Sequence, residues 1–344
     1  MSDADEGDVA SDTPHPRRTT DLFGHAEAEA AMLDAYRGGR VPHAWLIGGL
    51  AGIGKATLAY RFARFALTHP DPAAKAVQDV QSLAIAPDHP MARRVAAQGH
   101  PDVLVLERTI GDTGKLRSVI TVDQVRKTVP FFGSTAGEGG WRIVIVDAVD
   151  ELNTEGENAL LKLLEEPPAK SMLLLVTHTP GRVRATLRSR CRRLALRPLA
   201  ADDVARAAAA ALGEPPAKLR DAAAAADGSV ARAIALLDGD ALKFRERVQA
   251  LLERLPDVDA RALHALGDSM GGADPAAFEG FVDTLNDWMS ARLRSGPQDA
   301  AHLARVADAW QRINRAADEA NEYNLDRRPV IFDAFGALAE AARG

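Results

Sequence analysis

Ala44-Trp45-Leu46-Ile47-Gly48-Gly49-Leu50-Ala51-Gly52-Ile53-Gly54-Lys55-Ala56 is the stretch that decides the fold. Its first four residues form a short apolar run suited to a buried strand. The glycines after it mark a tight loop. From Lys55 to Leu67 the apolar residues recur at helical spacing. Strand, glycine-rich loop and helix in that order open a nucleotide-binding α/β unit. Gly49, Gly54 and Lys55 satisfy the phosphate-loop pattern G-x-x-x-x-G-K, and Gly52 lies inside it. The glycines let backbone N–H groups wrap phosphate oxygens, and the lysine adds a point charge at the outer phosphates.

The next position of that pattern normally carries a Ser or Thr hydroxyl that holds Mg²⁺. Here it is Ala56. Thr57 follows, but one step along a helix turns a side chain by about 100°, which argues against its taking over the metal. A second element is Ile143-Val144-Ile145-Val146-Asp147, an apolar strand ending in Asp. Downstream of a phosphate loop this pattern is expected to put Asp147 near the metal at the carboxyl edge of the sheet. A Glu that orients the attacking water usually comes next; Ala148 stands there instead, with Asp150 and Glu151 displaced further along.

Outward from these motifs, Leu22–Arg37, Val122–Val129 and Leu152–Glu166 read as helices. Thr154 with Glu157 fits a capping box, and Pro167-Pro168 stops the last of the three. Val103–Leu106, Trp141–Val146 and Met172–Val176 read as strands, while Thr68–Gly99 reads as irregular. Apolar strands alternating with helices imply a parallel sheet covered on both faces. Past Pro198 only helical patterns remain, beginning with Asp202–Leu212, Ala217–Ala226 and Val230–Leu237. The expected organisation is a disordered tail over 1–20, an α/β nucleotide-binding-fold domain over 21–197, a small helical lid over 198–240 and an all-α domain over 241–344. In the last region, Phe278, Phe281, Val282, Leu285, Trp288, Met289 and Leu293 form one apolar stripe. Leu303, Val306, Ala307, Trp310 and Ile313 form another. Both read as helix-packing faces.

The formal net charge is −6, which argues against tight autonomous DNA binding, because a phosphate-contacting protein is usually basic. The single cysteine, Cys191, excludes an internal disulfide and a four-cysteine zinc site, and suits a reducing cytoplasm. It reads as a packing residue. No apolar run is long enough to span a membrane. No pair of metal-binding carboxylates suggests nucleotidyl transfer. Arg182, Arg184, Arg188, Arg190, Arg192 and Arg193 form a basic stretch. On composition alone it is a solvated surface, a nucleic-acid contact, or the source of one arginine for a neighbour's site.

Several segments resemble the AAA+ clamp-loader family. They are Leu22-Phe23-Gly24-His25, Val41-Pro42-His43-Ala44-Trp45, His100-Pro101-Asp102 and Ile120-Thr121-Val122-Asp123-Gln124-Val125-Arg126. The most specific are Asn158-Ala159-Leu160-Leu161-Lys162-Leu163-Leu164-Glu165-Glu166-Pro167-Pro168 and Leu187-Arg188-Ser189-Arg190-Cys191. The resemblance covers Leu22 to Leu237 well and the C-terminal helices loosely. It implies an AAA+ domain, a lid and an oligomerisation collar. In this family the Ser-Arg-Cys arginine reaches the ATP held by the adjacent subunit, a role that falls on Arg190. Thr177 matches the sensor-1 position. Ala231 stands where the sensor-2 arginine would be, with Arg232 one step off. Asn324-Leu325-Asp326-Arg327-Arg328 resembles a late collar segment and implies subunit packing.

The departures at Ala56, Ala148 and Ala231, with Arg190 kept, resemble a clamp-loader member that lends a finger without firing its own site. The partners so implied are gamma/tau-type ATPase subunits, a delta subunit, the beta sliding clamp and, through the complex, primed DNA. Gly49, Gly52, Gly54, Lys55, Thr57, Asp147 and Thr177 would form a degenerate nucleotide site, with weak ATP or ADP binding, no hydrolysis and no zinc. The alternative is an active gamma/tau-like ATPase using Thr57 and Asp150 or Glu151 in shifted roles. A P-loop kinase is a third reading, which the two specific motifs disfavour.

Overall fold

The computed structural model describes residues 14–111, 117, 119–133, 137, 140–237, 239–270, 275–295, 299–322 and 325–343. The chain divides into two compact units, Met1–Ala235 and Leu236–Gly344.

The first unit is built on five parallel strands: β1 (Ala44–Gly48), β2 (Val103–Glu107), β3 (Arg142–Asp147), β4 (Ser171–Thr177) and β5 (Arg192–Ala195). Their spatial order is β2-β3-β4-β1-β5. Every residue of β1 and β4 is buried, which is why β1 and the Met172–Val176 run of β4 are apolar without alternation. The register sets the site: Gly48 lies opposite Thr177, and Glu107 opposite Asp147. Loops leaving the carboxyl ends of β1, β3 and β4 therefore meet at one edge of the sheet, where open α/β sheets place their ligands.

Around the sheet run α1 (Ala26–Arg37), α2 (Lys55–Thr68), α3 (Lys75–Asp79), α4 (Pro90–Ala96), α5 (Val122–Arg126), α6 (Thr128–Gly133), α7 (Thr154–Glu165) and α8 (Ala185–Arg188). One face of the sheet packs Trp45, Ile47, Ile143, Ile145 and Leu174 against α1 and α2. Tyr36 meets Phe62 and Phe65 edge-on, with ring centres 5.9 and 5.7 Å apart. Such pairs contribute about 0.5–1.5 kcal/mol each beyond buried area. The other face packs Leu46, Val144, Val146, Leu173 and Leu175 against Leu160 and Leu164 of α7. The first unit ends with α9 (Ala201–Leu212), α10 (Arg220–Ala225) and α11 (Val230–Ala235).

Several sequence expectations need correction. Residues 14–20, expected within a disordered tail, are held against α2. The Arg64 guanidinium donates to the carbonyls of Arg17 at 3.1 Å and Thr19 at 2.7 Å, and Arg61 donates to the Thr20 carbonyl. Residues 1–13 of that expected tail lie outside the described residues. The segment from Thr68 to Gly99 is not wholly irregular, because it contains α3 and α4. The His89 ring caps α4 by accepting from the Met91 N–H at 3.1 Å. The expected helix Val122–Val129 breaks in two at Lys127. The cap of α7 is Asn153, whose side chain accepts from the Gly156 N–H at 2.8 Å. Thr154 is inside the helix, and Glu157 is drawn to Arg184 at 2.7 Å. Finally, β5 lies in what read only as a basic stretch. Arg192 sits opposite Trp45, with its guanidinium 4.8 Å from the indole centre. That cation–π contact lets an arginine begin an edge strand.

The second unit contains α12 (Gly239–Glu253), α13 (Ala260–Met270), α14 (Pro275–Ser295), α15 (Ala300–Glu322) and α16 (Arg328–Arg343). Phe278, Phe281, Leu285 and Met289 are fully buried and pack with Ile313, Ile331 and Phe335. The first stripe is thus a core face; of the second, Ile313 and Trp310 join this core and Val306 is buried, whereas Ala307 is exposed. Arg245, on α12, is buried beside Thr284 at 3.2 Å and Asp287 at 3.7 Å. In the late segment, Asn324 lies outside the described residues. Asp326 pairs with Arg328 at 2.7 Å, and Arg327 lies over the Phe278 ring at 5.3 Å.

Candidate nucleotide site

The loop after β1 turns with Gly52 at φ +72° and Gly54 at φ +99°, a region that side chains with a Cβ rarely enter. Gly54 then caps α2, and Lys55 is the first residue of that helix. Gly52 is crowded as well as bent. A Cβ placed there would lie 2.7 Å from the Ala231 Cβ and would overlap the Ser229 hydroxyl. The Val230 N–H donates to the Gly52 carbonyl at 2.8 Å. The start of α11 is therefore seated directly on the loop. His25 holds it from the other side, with Nε2 donating to the Ile53 carbonyl at 2.6 Å. Burial lowers the pKa of this ring, so the neutral form that donates through Nε2 is favoured.

A cavity of about 460 Å³ opens beside the loop, within the size range of small-molecule pockets. Its walls include Gly52, Gly54, Lys55, Ala56, Thr57, Asp147, Val176 and His178. Leu22 and Phe23, the α9 residues Ala207, Ala210 and Ala211, and Val230 and Ala231 close one side. Pro14, Pro16 and Arg18–Thr20 close another. Of the sequence-predicted residues, Gly52, Gly54, Lys55, Thr57 and Asp147 come together on this cavity. Gly49 and Thr177 are not on its walls; the Gly49 N–H donates to the Thr177 carbonyl at 3.3 Å. The buried Thr177 hydroxyl accepts from the Thr179 N–H at 3.2 Å.

Charge at this edge is tightly balanced. Lys55 is 3% exposed. Burial lowers its pKa to about 8, against the opposing pull of Asp147 and Asp150. Its ammonium donates to the Leu50 carbonyl within its own loop. Asp147 is pushed up to about 6, first by burial and then by the Glu107 carboxylate opposite it, while Lys55 and His15 oppose the rise. His15 bonds Glu107 at 3.2 Å. Burial lowers the pKa of His178 to about 4, so this ring is neutral near pH 7.

The displaced carboxylates are committed elsewhere. Asp150 accepts from the N–H groups of His178 at 3.1 Å and Thr179 at 3.0 Å, and from the Thr179 hydroxyl at 3.0 Å. Glu151 pairs with Arg108 at 2.9 Å. Ala148 is buried, and Ala56 packs into the core beside Leu58 and Ala59. Position 56 offers no hydroxyl to a metal, and position 148 offers no carboxylate to water.

Arg190 does not line this cavity. It follows α8 on the surface, where its guanidinium meets Glu165 at 2.9 Å and the Thr186 carbonyl at 2.8 Å. Burial raises the Cys191 thiol to about 12, which leaves it a packing residue rather than a nucleophile. Among the described residues there is no cluster of three or more His, Cys, Asp or Glu suited to a metal ion, and no helix long and apolar enough to cross a membrane. Sequence reasoning missed the roles of Glu107, Ser229, Val230 and residues 14–20. Glu107 ends an apolar strand much as Asp147 does, and that was a legible signal.

Comparison with known proteins agrees with this geometry. Residues 24–200 match the family model described as DNA polymerase III, delta subunit. A DNA polymerase III subunit delta' from Pseudomonas aeruginosa is 38% identical over 45% of this chain and 43% of its own length. The Escherichia coli K12 subunit delta' is 33% identical over 68% of this chain and 66% of its own. A subunit tau from Salmonella typhimurium is 27% identical over 74% of this chain and 39% of its own. The matches thus span between about two fifths and two thirds of these relatives. With just over half of the chain inside the family model, and subunits delta' among its relatives above 30% identity, the chain belongs to the DNA polymerase III delta subunit family in its delta-prime form.

Proposed function

We propose that this chain serves DNA replication as the delta-prime, stator-like subunit of a DNA polymerase III clamp loader. In that role it joins gamma/tau-type ATPase subunits and the delta subunit, helps load the beta sliding clamp on primed DNA, and works in the cytoplasm. Arg190 reaches the ATP site of a neighbouring ATPase subunit, where a guanidinium stabilises charge on the transferred phosphoryl group. The chain's own site does not turn ATP over. In the domain arrangement that follows, 21–197 is the AAA+ domain, 198–240 its lid and 241–344 the collar.

The observation that carries this reading is one chain in which Ala56 and Ala148 occupy the reacting positions while Arg190 lies half-buried at the surface, away from its own cavity. The loop glycines, Lys55 and Asp147 suit the phosphates of ATP or ADP, whose bound anionic charge Lys55 would meet. The missing hydroxyl and carboxylate weaken hydrolysis more than binding, because metal and water positioning act mainly in the transition state. The gamma/tau-like alternative needs Asp150 or Glu151 to be available, and both are held by other groups.

The test is steady-state ATP hydrolysis by the purified chain, alone and with primed DNA and clamp, followed by Arg190→Ala in the assembled loader. The expected results are no turnover by the chain and a lowered DNA-dependent ATPase with assembly intact. Turnover abolished by Lys55→Ala would move the chain to the gamma/tau-like reading. Full loader activity in Arg190→Ala would remove the finger role.

A further inference from the structure

We infer that Glu165 is a positioning residue for Arg190: it holds the guanidinium in one place beside α8, with part of its donor edge still open, before the neighbouring subunit's phosphate arrives. This rests on the finger role proposed for Arg190. The carboxylate of Glu165 meets Arg190 Nη2 at 2.9 Å. Nη1 donates to the Thr186 carbonyl at 2.8 Å and to the Ser189 hydroxyl at 3.4 Å. Arginine has five N–H donors in a rigid fork. These three contacts hold the fork in one place through its two Nη atoms, and none of them uses the Nε–H, which remains for an anion.

The same helix holds the arginine on the other side of α8. Glu157, in the first turn of α7, pairs with Arg184 at 2.7 Å, and Glu165, its last residue, pairs with Arg190. Thus α7 grips the short α8 segment before its start and after its end. Glu157 is well covered, with 14% of its side chain exposed, whereas Glu165 is 52% exposed. A pair as open as Glu165–Arg190 contributes little to stability. Its consequence is orientation: a long side chain already held in one direction loses less freedom when it binds phosphate.

The positioning role predicts a loss in kcat of the assembled loader, with KM for ATP little changed, because the finger acts on the transition state. Glu165→Ala is expected to lower DNA-dependent kcat roughly twofold, a smaller loss than removing the guanidinium itself. Glu165→Gln keeps a carbonyl acceptor for Nη2 and is expected to recover most of the activity. In an Arg190→Ala background, Glu165→Ala is expected to have no further effect. Unfolding midpoints and assembly are measured beside each variant. If Arg190→Ala itself leaves kcat unchanged, the finger reading fails. If Arg190→Ala lowers kcat but Glu165→Ala does not, the positioning role is overturned. It is also overturned if Glu165→Ala costs the same activity with or without Arg190, or lowers kcat only in step with stability or assembly.

Discussion

The Val230 N–H donates to the Gly52 carbonyl at 2.8 Å, so the first residue of α11 is bonded to the middle of the phosphate loop. The loop's conformation thereby depends on a helix almost 180 residues away in sequence, a separation read from the residue numbers. Such a contact ties the shape of the loop to the folding of α11.

Gly52→Ala tests that contact. Alanine at φ +72° is strained, and its Cβ would press on Ala231. The expected loss is roughly 2–4 kcal/mol of unfolding free energy, read by urea denaturation. A change below about 0.5 kcal/mol, the range of ordinary surface substitutions, would mean that α11 is not seated on the loop in solution.

Lys55 gives a pH signature. Its folded pKa of about 8 lies below its ordinary value of 10.5, so between these values the unfolded chain binds more protons. Stability contributed through Lys55 therefore rises with pH across about 8 to 10.5. Lys55→Met is expected to stabilise the chain at pH 7 by roughly 1–3 kcal/mol and to flatten that rise. Denaturant unfolding at pH 7 and pH 9.5 compares the two chains. An unchanged slope in the variant would assign the rise to other groups.

Asp150 is expected to act on structure. Asp150→Ala removes the acceptor for two backbone N–H groups and one hydroxyl just after Thr177. The expected cost is about 1–3 kcal/mol, with no ATP turnover expected of the isolated chain before or after the substitution. A purified chain whose measurable turnover disappears with Asp150→Ala would instead place this carboxylate in the chemistry.

Arg64→Leu tests the strap formed by residues 14–20. Arg64 is 1% exposed and holds the Arg17 and Thr19 carbonyls. Its loss should free the peptide bonds after Arg17 and Arg18, so trypsin is expected to cut there faster in the variant under native conditions. Equal cleavage rates would show that the strap is held by other contacts.

The α/β fold of the first unit is legible along the chain, because its apolar strands, loop glycines and helical periods are local patterns. What the cavity edge lacks is equally legible there, since no tertiary contact can give Ala56 a hydroxyl or Ala148 a carboxylate. The sequence did not disclose β5, whose two leading arginines look like surface until Trp45 is placed beneath one of them. Packing of the folded chain seats Val230 on Gly52, commits Asp150 to the backbone after β4, draws residues 14–20 onto Arg64, and sets Glu165 against Arg190. Each of these is a contact between residues far enough apart in the chain that spacing carries no record of it. Hydrogen-bond geometry is decided by where the packed sheet and helices bring donors and acceptors together.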